Sequence, residues 1–544
     1  MLMPVSIGPM LRLLRSSITL LNRILSAVDR LAEWMQARPG LSVILSSWVF
    51  FTATAIRAQH RLFWYDELLT VYISGLPRLS DLWQALRAGL DLNPPLLHLS
   101  VRYAGQAFGS GPLVARLPVL LAVLAMSLCL FFYLRRKVPA GWALTAMMLP
   151  WLTEAYRFSM EARPYGILLG ASGAALYFWS RATDPKRPSW APPCLALSLA
   201  AALLTHCYAV LLAIPLIAGE AVRLRASRRP DWTLWVWMAL AAFPLAMYPS
   251  LMAANPAPPV QSSSPFHVTA WTIPETYREL LDPAFWPLIL VVLAVALAGK
   301  SSPAQKQGSL PAHELAALSA FTAIPVFAVM LGAVTTGTYS LRYGVQAVIG
   351  ISCLLAWAGA RCSRVNSARS GAAVALVFFV LFTGGFARQL WSAAHPPGVR
   401  AAEAPAAPAS PRIDVPGYPL FSLASDSRLP VVIASGMIFL NVDYYGDDAL
   451  RARAYYLMDA QAALKRTGSA WFDTTYPTVK RLLHVRANIE PADTFLAREP
   501  RFLLYCSGYV VEWLPQELLA RGWHLRLLGK DGPAEMLDVT APAP

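Results

Sequence analysis

The chain alternates long apolar runs with short basic segments over its first 390 residues. Residues 8–38 mix leucine and isoleucine with arginine, which indicates an amphipathic helix lying on a membrane surface. Further along, eleven apolar runs are long enough, or nearly long enough, to cross a membrane as helices. They cover residues 41–58, 113–134, 139–156, 165–180, 191–205, 208–222, 233–250, 286–299, 314–333, 344–360 and 371–388. The pattern predicts a polytopic α-helical membrane protein.

The apolar pattern ends near residue 390, and an Ala/Pro-rich segment typical of a linker follows. Beyond the linker, residues 429–434 and 501–505 have the pattern of short buried strands, whereas residues 448–465 and 515–522 have that of helices. We therefore predict a small soluble α/β domain at the C-terminal end. The predicted parts are an N-terminal amphipathic segment at 1–40, a transmembrane domain at 41–390, a linker at 391–428 and the α/β domain at 429–544.

Composition supports the membrane assignment, because 56% of residues are hydrophobic and only 14% are charged. The net charge of +15 comes from the membrane part, where 31 of the 46 basic residues but only 15 of the 31 acidic residues precede residue 400. Such an excess is expected from basic cytoplasmic loops, so it does not indicate nucleic-acid binding. The six cysteines are scattered, without the spacing of a disulfide framework or a zinc site.

Basic residues also predict the orientation of the chain. They concentrate in every second loop, at residues 135–137, 181–187, 223–229, 300–306 and 361–369. The positive-inside rule assigns these loops and the N-terminus to the cytoplasm. The intervening loops and the C-terminal domain are then expected on the opposite side of the membrane.

The first of these outer loops carries two adjacent carboxylates, Asp66 and Glu67, among aromatic residues. Charges at the boundary of a membrane are costly and often mark a functional site, although two solvated loop residues are an equal alternative. Neighbouring side chains point in different directions, so we expect at most one of the two to meet a substrate directly.

Four other polar segments lie in loops that are predicted to face the same side. An arginine can bind a phosphate through two parallel hydrogen bonds, and tyrosines favour the headgroup level of a bilayer, so Arg342 and Tyr343 suit a lipid phosphate. A salt bridge that only joins two spans is the alternative for Glu161 and Arg163, and a structural turn is the alternative for His206. The segments are Asn93-Pro94-Pro95, Glu161-Ala162-Arg163-Pro164-Tyr165, Thr205-His206 and Arg342-Tyr343.

Taken in order, these motifs resemble those of GT-C glycosyltransferases of the protein O-mannosyltransferase and aminoarabinose-transferase type. The resemblance covers roughly residues 40–390 and rests on the order and spacing of short motifs. In such relatives the Pro-Pro pair usually follows His or Lys, whereas here it follows Asn93. The family implies a donor sugar on a polyprenyl phosphate such as undecaprenyl phosphate, and an acceptor hydroxyl on a glycolipid, polysaccharide or protein. It also implies a bacterial inner membrane with the C-terminal domain in the periplasm.

The chemistry assigns a role to each candidate. A hydroxyl needs a base as its new C–O bond forms, and we expect Asp66 to be that base, with Glu67 orienting it. The leaving phosphate needs fixed cations, for which Arg342 is the first choice and Arg163 the second. The remaining candidates are His206 and Tyr343 at the phosphate, and Glu161, Asn93 and Tyr165 at the substrate.

No cofactor is predicted, because arginines can neutralise a monophosphate. A divalent metal held by carboxylates is the alternative, and it is not favoured. The competing function is a lipid or glycan transporter without transferase chemistry. Transporters typically have paired halves with broken spans and polar groups at mid-membrane depth, whereas this sequence concentrates its charged groups at one interface. The sequence therefore favours an inverting glycosyltransferase.

Overall fold

A computed structural model shows a helical bundle followed by a sheet-containing domain. It describes residues 8–253, 268, 269, 271–286, 288, 309–335, 337–363, 367–394, 413, 415–425, 427–509 and 511–542. Numbered in chain order within this part of the chain, the helices of the bundle are α1 Gly8–Ala37, α2 Pro39–His60, α3 Tyr65–Ser74, α4 Leu79–Arg87, α5 Leu96–Phe108, α6 Pro112–Arg135, α7 Ala140–Met148, α8 Pro164–Ala182, α9 Ala191–Leu203, α10 Ala213–Ser227, α11 Trp232–Leu240, α12 Tyr248–Met252, α13 Thr272–Leu281, α14 Ala312–Thr322, α15 Ile324–Thr335, α16 Ala347–Cys362 and α17 Ser367–Ala394. Short 3₁₀ helices join several of them, at Leu149–Leu152, Glu154–Ser159, Cys207–Leu212, Phe243–Met247 and Leu341–Gly344.

Several of these helices are long and apolar enough to cross a membrane. Five segments qualify within the described residues, and the bent pair α14 and α15 would make a sixth. The five are Pro39–His60, Pro112–Arg135, Cys207–Ser227, Trp232–Met252 and Ser367–Ser392. The chain is thus a multi-pass membrane protein, as predicted. The predicted run at 286–299 falls almost wholly outside the described residues, and the count of eleven spans stays a prediction.

The C-terminal domain is a six-stranded sheet with helices, which confirms the predicted α/β class. Its strands are β1 Val431–Ile433, β2 Ala454–Met458, β3 Asn488–Pro491, β4 Arg501–Cys506, β5 His524–Asp531 and β6 Ala534–Thr540, in the order β3-β2-β1-β4-β6-β5. The first four are parallel, and β6 joins β4 and β5 antiparallel. Every residue of the central strand β1 is buried, as expected where helices cover both faces of a parallel sheet.

The helices of this domain continue the numbering, and one sequence prediction for them is wrong. They are α18 Gly436–Tyr445, α19 Asp448–Arg453, α20 Ala460–Thr467, α21 Trp471–Leu482, α22 Ala492–Arg498 and α23 Trp513–Ala520, preceded by a 3₁₀ helix at Pro419–Ala424. Residues 448–465 were expected to form one helix, but β2 separates α19 from α20. The sequence of β2, Ala-Tyr-Tyr-Leu-Met, pairs with β1 and β3, and this sheet pairing overrides the helical pattern of its neighbours.

The charged residues in the loops of the bundle form two sets, in agreement with the sequence pattern. Residues from the loops predicted to be cytoplasmic pair with one another or with the helices that flank them. These pairs are Arg136 with Asp184, Lys137 with Glu314, Arg187 with Asp231, and Arg369 with Asp29. Residues from the loops predicted to face outward also pair among themselves, and they form the site described below.

Candidate active site

Asp66 lies in the first turn of α3, where the positive end of the helix dipole favours a carboxylate. Its Oδ2 atom is 3.4 Å from Nη1 of Arg342 and 3.7 Å from Nη2 of Arg163. The Asp66 side chain is about a quarter exposed. A solvent-accessible carboxylate therefore lies beside two guanidinium groups. These three side chains come from three separate segments of the chain.

Arg163 is the more firmly held of the two arginines. It precedes Pro164, the first residue of α8, and its side chain is buried. Its Nη1 donates to Oδ2 of Asp91 at 2.8 Å and to the backbone carbonyl of Asp66 at 3.0 Å. These bonds tie the start of α8 to the first turn of α3, so Arg163 fixes the backbone that carries Asp66.

Asp91 is the buried counter-ion of Arg163. Burial alone would raise the pKa of this carboxyl, but the ion pair with Arg163 and the polar contacts with His98 and Asn93 outweigh burial and hold the pKa well below its usual range. Both the backbone N–H and the side-chain amide of Asn93 donate to Oδ1 of Asp91. Asn93, predicted at the substrate, therefore contacts the Asp91 carboxylate and orients it.

Aromatic rings surround the guanidinium of Arg342. Its guanidinium lies 5.6 Å from the ring centroid of Tyr165 and 5.8 Å from that of Tyr343, and Tyr343 stacks on Tyr208 at 4.3 Å. The Arg342 side chain is about a quarter exposed, whereas its Nε atom is buried without a hydrogen-bond partner among the described residues. The exposed part of the guanidinium is therefore the part that an incoming anion can reach.

His206 lies beside this cluster, with its ring centroid 5.7 Å from that of Tyr343. Burial, followed by the nearby charges of Arg342 and Arg163, lowers the pKa of His206 to about 3. The backbone N–H of Tyr208 donates to His206 Nδ1 at 3.1 Å, so the proton of the neutral ring is on Nε2. His206 can donate a hydrogen bond to a phosphate. Because its ring is neutral, it does not add a positive charge to the site.

Glu67 points away from Asp66 and is fully buried in an ion pair with Arg116. Arg116 Nε and Nη2 each donate to one Glu67 oxygen at 2.8 Å, and the backbone N–H of Ala162 adds a bond of 2.7 Å. Arg116 also donates to the carbonyls of Ala58 and Arg61 at the end of α2. Glu67 thus joins α2, α3 and α6, and its contacts are structural.

Glu161 lies at the same junction. Its Oε1 pairs with Arg61 at 2.8 Å and with Arg157 at 3.3 Å, and neither partner touches Asp66. Its Oε2 is buried without a hydrogen-bond partner in the described part of the chain. The structure therefore brings Asp66, Arg163, Arg342, His206, Tyr165 and Tyr343 into one cluster, and it separates Glu67 and Glu161 from it.

Comparison with known proteins identifies the fold. Residues 93–252 match the family model described as dolichyl-phosphate-mannose-protein mannosyltransferase. The whole structure is similar to the crystal structure of ArnT from Cupriavidus metallidurans in the apo state, with a TM-score of 0.56 and 14% identity over 92% of this chain and 98% of that chain. The chain has the ArnT fold. ArnT bound to undecaprenyl phosphate gives a TM-score of 0.53 and 15% identity, covering 91% of this chain and 97% of that one.

No protein with a curated description matches the chain in sequence. The resemblance drawn from the short sequence motifs is nevertheless confirmed, because the family model and the ArnT fold both lie within the group that those motifs indicated. Because the identity to ArnT is low, this similarity shows the fold alone.

Two residues that help to build the site were not predicted from the sequence. The sequence alone gives Asp91 no role, because its pairing with Arg163 spans 72 positions. Arg116 lies within an apolar run of α6, and a single charge in such a run is itself a signal of a buried partner. Both contribute to the placement of Asp66.

A cavity of about 350 Å³ lies beside the C-terminal end of α3, whereas Asp66 lies at the N-terminal end of this helix. Its walls come from α3, α5, the start of α6 and the connections that follow α3 and α5, together with Phe63 and Tyr444. None of the predicted site residues lines it. The guanidinium of Arg102 borders the cavity but donates to the carbonyls of Ser74, Leu76 and Pro77. We therefore base the site on the Asp66 cluster, where the opposed charges are.

Among the described residues, no group of three or more His, Cys, Asp and Glu side chains is arranged to hold a metal ion. The candidate carboxylates are each paired with an arginine: Asp66 with Arg342, Glu67 with Arg116 and Glu161 with Arg61.

Proposed function

We propose that the chain is an inverting glycosyltransferase that moves a sugar from a polyprenyl phosphate to a hydroxyl group on the non-cytoplasmic side of the membrane. The observation that carries the proposal is the contact of 3.4 Å between Asp66 and Arg342. It places a proton acceptor and a phosphate-binding cation in one site, where an acceptor hydroxyl and a donor phosphate can be held close together.

Arg342 is the primary group for the donor phosphate. A guanidinium binds a phosphate through two parallel hydrogen bonds, and the Arg342 side chain is about a quarter exposed beside Asp66. Arg163 adds positive charge 3.7 Å from the Asp66 carboxylate, and His206 adds a neutral N–H donor. The ArnT structure that contains undecaprenyl phosphate supports a polyprenyl phosphate as the lipid part of the donor.

Asp66 is the general base in this proposal. The acceptor oxygen attacks the anomeric carbon, its proton passes to Asp66, and the bond between that carbon and the phosphate oxygen breaks with its electron pair leaving on the phosphate. The negative charge that develops there lies beside Arg342. Donor phosphate competes with Asp66 for this guanidinium, so donor binding frees the carboxylate for the acceptor hydroxyl.

We assign the enzyme to the inner membrane of a bacterium, with the N-terminus in the cytoplasm and the C-terminal domain in the periplasm. The distribution of basic loops supports this orientation. The acceptor is then a hydroxyl of an envelope glycolipid such as lipopolysaccharide, of a polysaccharide or of a protein.

Mass spectrometry of the envelope tests this function and identifies the sugar. A deletion strain is compared with strains that carry the wild-type chain or the Arg342→Ala variant. We expect one sugar modification to be lost on deletion, restored by the wild-type chain and reduced with the variant. Purified protein should then form the same product from the polyprenyl-linked donor and the isolated acceptor. An unchanged envelope would contradict the proposal, and a purified protein that binds the lipid without transferring its sugar would favour a transporter.

A further inference from the structure

The C-terminal domain forms two hydrogen bonds with the backbone just before Asp66. The Phe63 N–H donates to the hydroxyl oxygen of Tyr445 at 2.8 Å, and the side-chain amide of Asn441 donates to the Phe63 carbonyl at 2.8 Å. Both partners lie on α18, more than 370 positions away in the chain. One residue, three positions before Asp66, is therefore held on both of its backbone polar groups by the same helix.

These two hydrogen bonds are important because the segment from residue 61 to 64, between α2 and α3, has no regular secondary structure. Phe63 is only 2% exposed, so its backbone N–H and carbonyl must find partners inside the protein. Tyr445 and Asn441 supply those partners. Loss of either one leaves a buried polar group unpaired, and the connection can restore its hydrogen bonding only by moving.

Two further contacts fix α3 on either side of Asp66. The ring of Tyr65 packs edge-on against Trp471 and Phe472 of α21, with centroids 6.0 and 5.4 Å apart. Further along α3, the hydroxyl of Tyr72 donates to the buried carboxylate of Asp443. The domain thus contacts the residues before, beside and after Asp66.

Asp443 is itself anchored. Its Oδ1 accepts the backbone N–H groups of Arg486 and Ala487 at 2.8 and 2.7 Å, which ties α18 to the segment leading into β3. The apolar core is also shared, because residues of the outer loop and of the sheet domain form one buried cluster. This cluster includes Phe63, Leu68, Ile73, Val431, Phe439 and Tyr476.

We propose that Asn441 and Tyr445 are positioning residues that set the direction of the Asp66 carboxylate by fixing the Phe63 backbone. The inference rests on the proposed role of Asp66 as general base. It gives the C-terminal domain a function in catalysis without requiring the domain to touch the substrate. A displacement of about 1 Å at a reacting group costs roughly 100-fold in rate, so one lost bond at Phe63 is sufficient to be measured.

The variants Asn441→Ala and Tyr445→Phe each remove one bond to Phe63. Tyr455→Phe is the matched control, because Tyr455 belongs to the same domain but packs on Phe495 in the core of the opposite sheet face. For sugar transfer per folded molecule, we expect kcat to fall about 10- to 100-fold in the first two variants and to stay within twofold of wild type in the control. The donor KM and the affinity for undecaprenyl phosphate should stay within about twofold in all three, since Arg342 is untouched.

Hydrogen exchange on the full-length protein gives a readout that does not depend on activity. In both variants we expect the amides of residues 63–68 to exchange at least about tenfold faster than in wild type, while those of α6 keep their protection. Wild-type kcat in both variants would overturn the positioning role, and so would unchanged exchange at residues 63–68. A purely structural role would lower the yield of folded protein and leave kcat per folded molecule unchanged, which also contradicts the proposal.

The same measurements separate this inference from the proposed function. If Asp66→Asn keeps full activity, Asp66 is not the base and the proposed mechanism fails, whatever the exchange data show. If Asp66→Asn is inactive while Asn441→Ala and Tyr445→Phe keep wild-type kcat, the mechanism stands and only the positioning role is refuted.

Discussion

The carboxylate of Asp66 lies 3.4 Å from the guanidinium of Arg342, although 276 positions separate the two residues. In this state each group neutralises the other. In the proposed mechanism, a donor phosphate that binds Arg342 replaces Asp66 as its partner and leaves the carboxylate facing the acceptor. The proposal therefore couples substrate binding to base activation through one guanidinium.

Arg342→Ala is expected to weaken binding of undecaprenyl phosphate about 10- to 100-fold, because charge-assisted hydrogen bonds contribute about 1.5–3 kcal/mol. Arg342→Lys should fall between wild type and alanine, since lysine keeps the charge but loses the fork of donors. The measurement is a titration of the purified protein with undecaprenyl phosphate. Arg361→Ala, at the far end of α16, is the control and should bind like wild type. Equal affinity in Arg342→Ala and wild type would refute the phosphate assignment.

Glu67→Gln and Arg116→Met should each destabilise the protein by about 3–5 kcal/mol, because each leaves a buried charge without its partner. The double variant should recover part of the loss. Thermal unfolding in detergent provides the comparison. The control is Asp448→Asn, which breaks a pair whose carboxylate is 93% exposed and should change stability by less than about 1 kcal/mol. Single variants as stable as this control would show that the buried pair is not structural.

His206→Gln should make the protein less sensitive to acid. The unfolded histidine takes up a proton below about pH 6.5, whereas burial lowers the pKa of His206 in the folded protein to about 3. Between these values the unfolded state binds more protons, so His206 removes stability as the pH falls, by at most about 1.4 kcal/mol per pH unit. The drop in unfolding temperature from pH 7.5 to 5.0 should therefore be smaller in the variant. An equal drop in both proteins would mean that His206 titrates normally.

Part of this site can be predicted from the sequence, because the alternation of basic loops determines which polar segments share one side of the membrane. That logic selects Asp66, Arg163 and Arg342, which the fold does bring together. It cannot determine the direction of neighbouring side chains. Glu67 is adjacent to Asp66 in sequence but turns into the bundle toward Arg116.

The contacts of the C-terminal domain lie beyond such reasoning. Asn441 and Asp443 belong to a polar segment that could equally have been an acidic surface patch or the start of a helix. Only the packing of α18 on α3 reveals that Asp443 is buried and that Asn441 reaches the Phe63 carbonyl. Hydrogen bonds across 378 and 382 positions leave no periodic signal in the chain.

The transfer rate of Asp66→Asn tests the central claim most directly. The change keeps the size of the side chain but removes its ability to accept a proton, which for a general base costs about 100- to 10,000-fold. We predict a loss of transfer in that range, a folded yield like that of wild type, and full activity in Asp448→Asn. The affinity for undecaprenyl phosphate should be equal to or higher than that of wild type, because Asp66 no longer competes for Arg342. Transfer by Asp66→Asn at the wild-type rate would contradict the account.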